Sequence, residues 1–189
     1  IYDFVTLFLF TLSFSLLAHH RLNPYLLAFS LACLSKETSL FLILFFAIHF
    51  RGLPKRQYAT LLSTQMTIYL VFRLAIMWLF RNNPGDVMEF HFYDQIRAYQ
   101  AHPWQTLLFF LFIFSVVMLL VYQWKNKPLF LREAALSIGL PLGGLYIFFG
   151  MPYELRVFLE VYPTVYLLAC FPFLSLKKGV EAEYHQVPV

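Results

Sequence analysis

Charge is scarce in this chain of 189 residues: Asp, Glu, Lys and Arg make up only 13% of it, where a soluble domain carries about 25%. With 60% hydrophobic and 20% aromatic residues and a mean hydropathy of +0.67, a solvated globular surface is excluded. Cysteine is nearly missing. Cys33 and Cys170 both lie inside apolar runs, where a lone thiol packs as a small hydrophobe, so neither a disulfide framework nor a thiolate metal site is expected. No pair of histidines has zinc-ligand spacing, and the chain has no P-loop, nucleophile elbow, glycosylation acceptor or internal repeat. No stripe of alternating basic and aromatic residues forms a nucleic-acid groove. The net charge of +4 is therefore read through its distribution along the chain, as a topology signal. The chain opens on Ile1, directly into an apolar stretch with no basic n-region and no small-residue cleavage site, and reads as a piece of a longer protein.

What is present is a series of apolar runs. They predict an all-α, polytopic transmembrane helix bundle over residues 1–176, with helices at 4–18, 25–34, 39–50, 59–80, 104–124, 129–149 and 157–176, an outer loop over 81–103 and a polar cytoplasmic tail over 177–189. At about 1.5 Å per residue the runs at 59–80 and 104–124 reach roughly 30 Å, one hydrocarbon thickness. Trp104 and Trp124 bracket the second of these as interface anchors. The runs at 25–34 and 39–50 are each too short to cross, and the charged triplet Lys36-Glu37-Thr38 lies between them. As one helix they would bring Lys36 and Glu37 near the bilayer centre, at a cost of roughly 2.5 to 3.5 kcal/mol for each charge. As a short membrane-embedded hairpin, the triplet becomes a turn that needs protein or a water-filled cavity around it.

Basic residues arbitrate. The hairpin gathers Arg21 with Arg51, Lys55, Arg56, Lys125, Lys127, Arg132, Lys177 and Lys178 on one side, the cytoplasmic one, and leaves Arg81, Arg97 and Arg156 opposite. Asp3, Glu37, Asp86, Glu89, Asp94, Glu154 and Glu160 then approach the outer face, which points to an outward-facing polar site. In the outer loop, Asn82-Asn83-Pro84-Gly85 is a turn sequence, and Phe92, Ile96 and Tyr99 recur at helical spacing, so an interfacial amphipathic helix is expected there. That helix is either an anchor or the wall of a cavity with Asp86, Glu89 and His91 at its mouth; those three side chains also make a possible divalent-cation set without matching a specific motif.

Adjacent residues on a helix point in different directions, so Lys36 and Glu37 need separate partners. Arg73, Glu154 and Arg156 approach from the same side. Arg156 and Glu160 stand four apart, which also allows an intrahelical pair. The bland alternative is an ion network that only locks the bundle, with Ser35, Thr38 or Ser39 capping the second arm. Gly139, Pro141, Gly143 and Gly144 make the sixth run breakable, and Pro163 interrupts the seventh; close helix packing is one explanation for the glycines and broken transport helices are another.

The order of Tyr2-Asp3 opening a helix, Ser35-Lys36-Glu37-Thr38 between two short helices, Arg73 before a long outer loop, and Glu154-Leu155-Arg156 before a Pro-containing last helix resembles the polytopic C-type glycosyltransferase superfamily, and more closely bacterial membrane proteins of that kind. The resemblance implies an integral protein of the bacterial inner membrane that transfers a sugar from a polyprenyl-phosphate carrier at the outer face. In such enzymes the acid-base carboxylate comes from a first outer loop. That loop would precede Ile1, so a missing N-terminal segment or a partner subunit is implied. Glycosyl transfer needs cations for the departing phosphate and a base for the acceptor hydroxyl. Lys36, Arg73 and Arg156 are the phosphate candidates, Glu37 and Glu154 would orient them or hold hydroxyls, and Asp86 and Glu89 are the base or metal candidates. A transporter or flippase with the same charged cavity, and a non-catalytic assembly subunit, are the competing classes.

Overall fold

The computed structural model describes residues 2–83 and 89–172, and every element among them is helical. In chain order these are α1 (Tyr2–Ala18), α2 (Leu22–Ser35), α3 (Leu40–His49), α4 (Lys55–Leu79), α5 (Phe92–Ala101), α6 (Pro103–Val121), α7 (Leu129–Phe149) and α8, described over 162–172. Three short 3₁₀ turns, Glu37–Ser39, Trp124–Asn126 and Leu155–Phe158, join them. Asp86 and the tail over 177–189 lie outside the described residues.

Two helices, α4 and α6, are long and apolar enough to cross a membrane. Not one residue of α6 is buried, although its surface is Trp, Phe, Leu and Val throughout. A helix that is apolar all round and touches little protein takes its burial from another apolar medium. The first three helices are shorter: α1 has 17 residues, α2 has 14 and α3 has 10. At 1.5 Å per residue α3 reaches about 15 Å while α4, which starts beside its end, reaches about 37 Å.

The core is aromatic. Phe14, Phe45 and Phe130 bring α1, α3 and α7 together through edge-on contacts at 5.6 and 5.0 Å. The apolar stripe of α3, Leu42, Ile43, Phe45 and Phe46, packs on α7, whose buried face recurs at Ala134, Ile138 and Leu142. α2 is stitched to α4 in the middle of the bundle by a buried hydrogen bond of 2.7 Å from the Tyr25 hydroxyl to Gln65 Oε1, which satisfies both polar groups where no water reaches.

Several expectations are corrected. The last helix starts at 162 and not at 157: Leu155–Phe158 is a 3₁₀ turn, and Pro163 stands in the first turn of α8, where a missing N–H costs no bond. Pro163 therefore begins a helix. Pro141 does not break α7, which runs unbroken through it. Nor are the glycines there for close packing within the chain: a Cβ on Gly143 or Gly144 would meet nothing within 4 Å, and one on Gly139 would make ordinary contact with Val161. None of the three candidate hydroxyls caps α3: Ser39 stands at the N-cap without a side-chain cap bond, the Thr38 hydroxyl goes to Glu160 and that of Ser35 to Thr6.

The outer-loop helix forms as the spacing predicts, over Phe92–Ala101, but its docking face is different. Ile96 is exposed, whereas Gln95 is buried and its amide donates to the carbonyls of Tyr146 and Gly150 at 2.7 and 2.6 Å. Those carbonyls belong to the end of α7: that of Tyr146 also accepts the Gly150 N–H at 2.9 Å, while that of Gly150 lies past the last helical bond. Replacing Gln95 by leucine is expected to strand the Gly150 carbonyl, to leave that of Tyr146 with its backbone bond alone, and to cost about 1 to 2 kcal/mol. Faster proteolysis of the segment between α4 and α6, in a protein whose other helices stay protected, is the measurement that checks it.

Candidate functional site

The site grows from a backbone break. Lys36 leaves α2 in an extended conformation (φ −154°, ψ 147°), and the chain tightens into a 3₁₀ turn before α3. Within a continuous helix the two charges would fan out by about 100° and meet lipid or core; the break lets each reach a different neighbour. Lys36 Nζ donates to Glu160 Oε1 at 2.7 Å, and the Thr38 hydroxyl donates to the same oxygen at 2.5 Å. Arg73 Nη2 donates to Glu37 Oε1 at 2.7 Å. Arg73 sits six residues before the end of α4, which sets this polar turn about 9 Å below that end.

Burial separates the two pairs. The Glu160 side chain is fully buried and its Oε2 has no partner, while Lys36 is one-third exposed. Glu37 is two-thirds exposed against a largely covered Arg73. Thr6 of α1 shares a hydrogen bond of 3.2 Å with Ser35, which brings the start of α1 to the same place.

Glu154 and Arg156 form a pair of their own, with no bond to Lys36, Glu37, Arg73 or Glu160. Arg156 Nε donates to Glu154, whose other oxygen accepts from the Met151 N–H at 3.3 Å. The Glu154 carboxylate raises the Arg156 pKa further, with a smaller contribution from Asp3 at the start of α1. The Arg156 side chain is mostly exposed, and the alternative pairing with Glu160 four residues on does not form. Glu89 is not joined to the cluster either: it pairs with His91 at 3.3 Å, and His91 lies 3.4 Å from Asp94 and donates its backbone N–H to the Phe148 carbonyl at the end of α7. Among the described residues no group of three or more His, Cys, Asp or Glu side chains is placed to hold a metal ion.

Glu160 is the residue that sequence spacing misassigns. Its spacing from Arg156 suggests a helical pair, yet the intervening 3₁₀ turn carries it inward to Lys36. The usable signal was its setting between Leu159 and Val161, since an acid flanked by apolar residues at the depth of an unpaired lysine needs that lysine.

Chemically, each cation of the cluster already has a carboxylate, but one ion pair occupies only one of the three donors of a lysine or the five of a guanidinium. The pairs fix where the remaining N–H groups point. An apolar groove of about 750 Å³ runs between α1 and α2, lined by Phe4, Val5, Phe8, Leu9, Leu31 and Leu34, and ends at Ser35, one residue from Lys36. No protein-family model, curated protein or solved structure matches the chain.

Proposed function

We propose that this chain is a polytopic bundle of the bacterial inner membrane that binds a polyprenyl-phosphate sugar donor at its outer face and serves glycosyl transfer. One observation carries the reading: the apolar groove between α1 and α2 includes Ser35, the residue next to Lys36, so a ligand with a long hydrocarbon chain in the groove would bring an anionic head close to that lysine.

The orientation is supported by the segregation of charge. His49 of α3 bonds Glu133 of α7, and the Tyr58 hydroxyl of α4 bonds the Ala47 carbonyl, so the basic ends of these helices lie together. The acids Asp3, Glu37, Glu154 and Glu160 gather at the opposite end, the outer one under the positive-inside rule. The hairpin of α2 and α3 then forms a recessed polar floor inside the bilayer, walled by α4. Lys36 and Arg73 supply N–H groups for a phosphate, and Glu160 and Glu37 hold them in register. Arg156, exposed and paired locally, takes a lesser part.

The enzyme reading is favoured over a transporter by two features. The outer groove shares no lining residue with the second cavity of the molecule, and α7 is continuous where a hinge was considered. The test is binding of a fluorescent polyprenyl phosphate to the protein in lipid nanodiscs. Lys36→Ala and Arg73→Ala are each expected to weaken it about tenfold or more, the equivalent of about 1.4 kcal/mol, and Arg156→Ala less. Unchanged affinity in both of the first two variants would remove the donor-site assignment.

A further inference from the structure

A second cavity, of about 570 Å³, is lined by the later part of α1, Thr11 to Ala18, and includes His20, His49 and Pro128 from the basic end of the molecule. Its walls are mostly apolar, from Phe14 and Leu17 of α1, Phe130 and Leu131 of α7 and Leu167 of α8. Two imidazoles, those of His20 and His49, line the same space. Each is held in place. His20 stands in the tight α1–α2 turn with a left-handed backbone (φ 54°) and packs edge-on against Phe50 at 5.9 Å. His49 is enclosed by the rings of Phe45, Phe50 and Phe130 at 5.0 to 5.5 Å, and Glu133 bonds its Nδ1 at 2.6 Å. A carboxylate on one ring nitrogen orients the imidazole and commits the other nitrogen, Nε2, to whatever enters.

The surrounding charge selects the entrant. At this end Arg21, Arg51, Lys55, Arg56, Lys125 and Arg132 face a single acid among the described residues, Glu133, and that acid is already engaged by His49. Arg132 carries a buried Nε that has no partner. Lys127 is spent internally: it donates to the carbonyls of Leu119 and Leu120 at the end of α6, and burial lowers its pKa. An apolar slot lined by two imidazoles, at the end of the molecule where the basic residues gather, complements one amphiphile in particular.

We infer that this cavity binds an anionic phospholipid of the inner leaflet, with the lipid phosphate at His20 and His49 and an acyl chain along Phe14, Phe130 and Leu167. Among anionic phospholipids the geometry favours phosphatidic acid, whose monoester phosphate accepts an N–H bond and also carries an O–H, so it bonds to Nε2 of His49 in either protonation state of the ring. The volume fits one chain segment and a headgroup, within the range of ligand pockets, about 300 to 1,000 Å³. The inference rests on the membrane orientation proposed above and not on any sugar chemistry at the outer end.

The experiment uses the whole chain in phosphatidylcholine nanodiscs with a photoactivatable phosphatidic acid bearing its diazirine on the acyl chain. Cross-links are expected within residues 11–20 and 128–131, competed by unlabelled phosphatidic acid and not by phosphatidylcholine. His20→Ala and His49→Ala are each expected to reduce labelling about fivefold to tenfold, the loss of one charge-assisted bond. Leu167→Trp, which fills the slot and leaves both imidazoles in place, is expected to reduce it equally, so a folding defect in the histidine variants does not decide the matter. Arg73→Ala, which leaves only the exposed Glu37 without its partner, is expected to label as wild type, which separates failure of this site from failure of the outer one. Equal competition by phosphatidylcholine would reduce the cavity to an unselective apolar slot, full competition by inorganic phosphate would make it a free-anion site, and undiminished labelling in the Leu167 variant would place the lipid elsewhere; each overturns the inference.

Discussion

Lys36→Met is expected to lower the unfolding free energy of the protein in detergent micelles by about 3 kcal/mol, the scale of breaking a buried ion pair by removing one partner, at its lower end because the lysine is partly exposed. The penalty falls on what remains. Glu160 is fully buried, one of its oxygens has no partner, and without Lys36 the other keeps only the Thr38 hydroxyl. The companion variant decides the cause. Lys36→Met combined with Glu160→Leu removes both charges and is expected to recover most of the loss, since replacing a buried pair by apolar residues of similar volume is often neutral or stabilising. If the double variant is as unstable as the single one, the pair is not coupled and the cluster is held by other contacts.

That comparison also bears on function. A pair whose removal in full leaves stability nearly unchanged is not retained for stability, and a costly buried charge then needs another reason to persist. In the double variant the outer groove keeps its hydrocarbon lining while the turn loses its cation. A carrier whose phosphate is read at Lys36 is therefore expected to lose its head contact in a protein that remains folded.

The backbone break at Lys36 was legible because two apolar runs, each short of a membrane span, flank adjacent opposite charges. The Arg73 partnership was legible for a related reason: the guanidinium lies at the depth to which the short hairpin reaches. Glu160 was hidden because its partner depends on the 3₁₀ turn at Leu155–Phe158, and i,i+4 spacing implies a helix that is not there. Gln95 was hidden for the opposite reason. The helix exists, but its buried position is chosen by the Tyr146 and Gly150 carbonyls at the end of α7, and hydrophobic periodicity carries no record of them. The inner cavity was invisible as well, since it is assembled from α1, α3, α7 and α8, and no local pattern ties His20 to His49.

Gly150→Ala is expected to be the most disruptive small substitution at the outer end. The position does not need glycine for its backbone angles (φ −77°), so the argument is one of space. A Cβ there would overlap the Tyr146 ring and stand 2.7 Å from the Tyr146 carbonyl oxygen. The ring can swing away. The carbonyl cannot, because it is backbone of the last turn of α7, accepts the Gly150 N–H at 2.9 Å and receives the Gln95 amide. Relief of the clash must therefore move Gly150, and with it the carbonyl that Gln95 also holds. Overpacking and lost hydrogen bonds together come to about 3 kcal/mol. The consequence is directional: α5 loses the contact that docks it on α7, and Phe90 and Phe92, which pack near Phe148, follow. Hydrogen exchange is expected to accelerate across Phe92–Ala101 while α2 and α3 keep wild-type protection. Equal acceleration in α3 would mean that the outer helix is not an independent unit, and the polar turn beneath it would then depend on α5 for its shape.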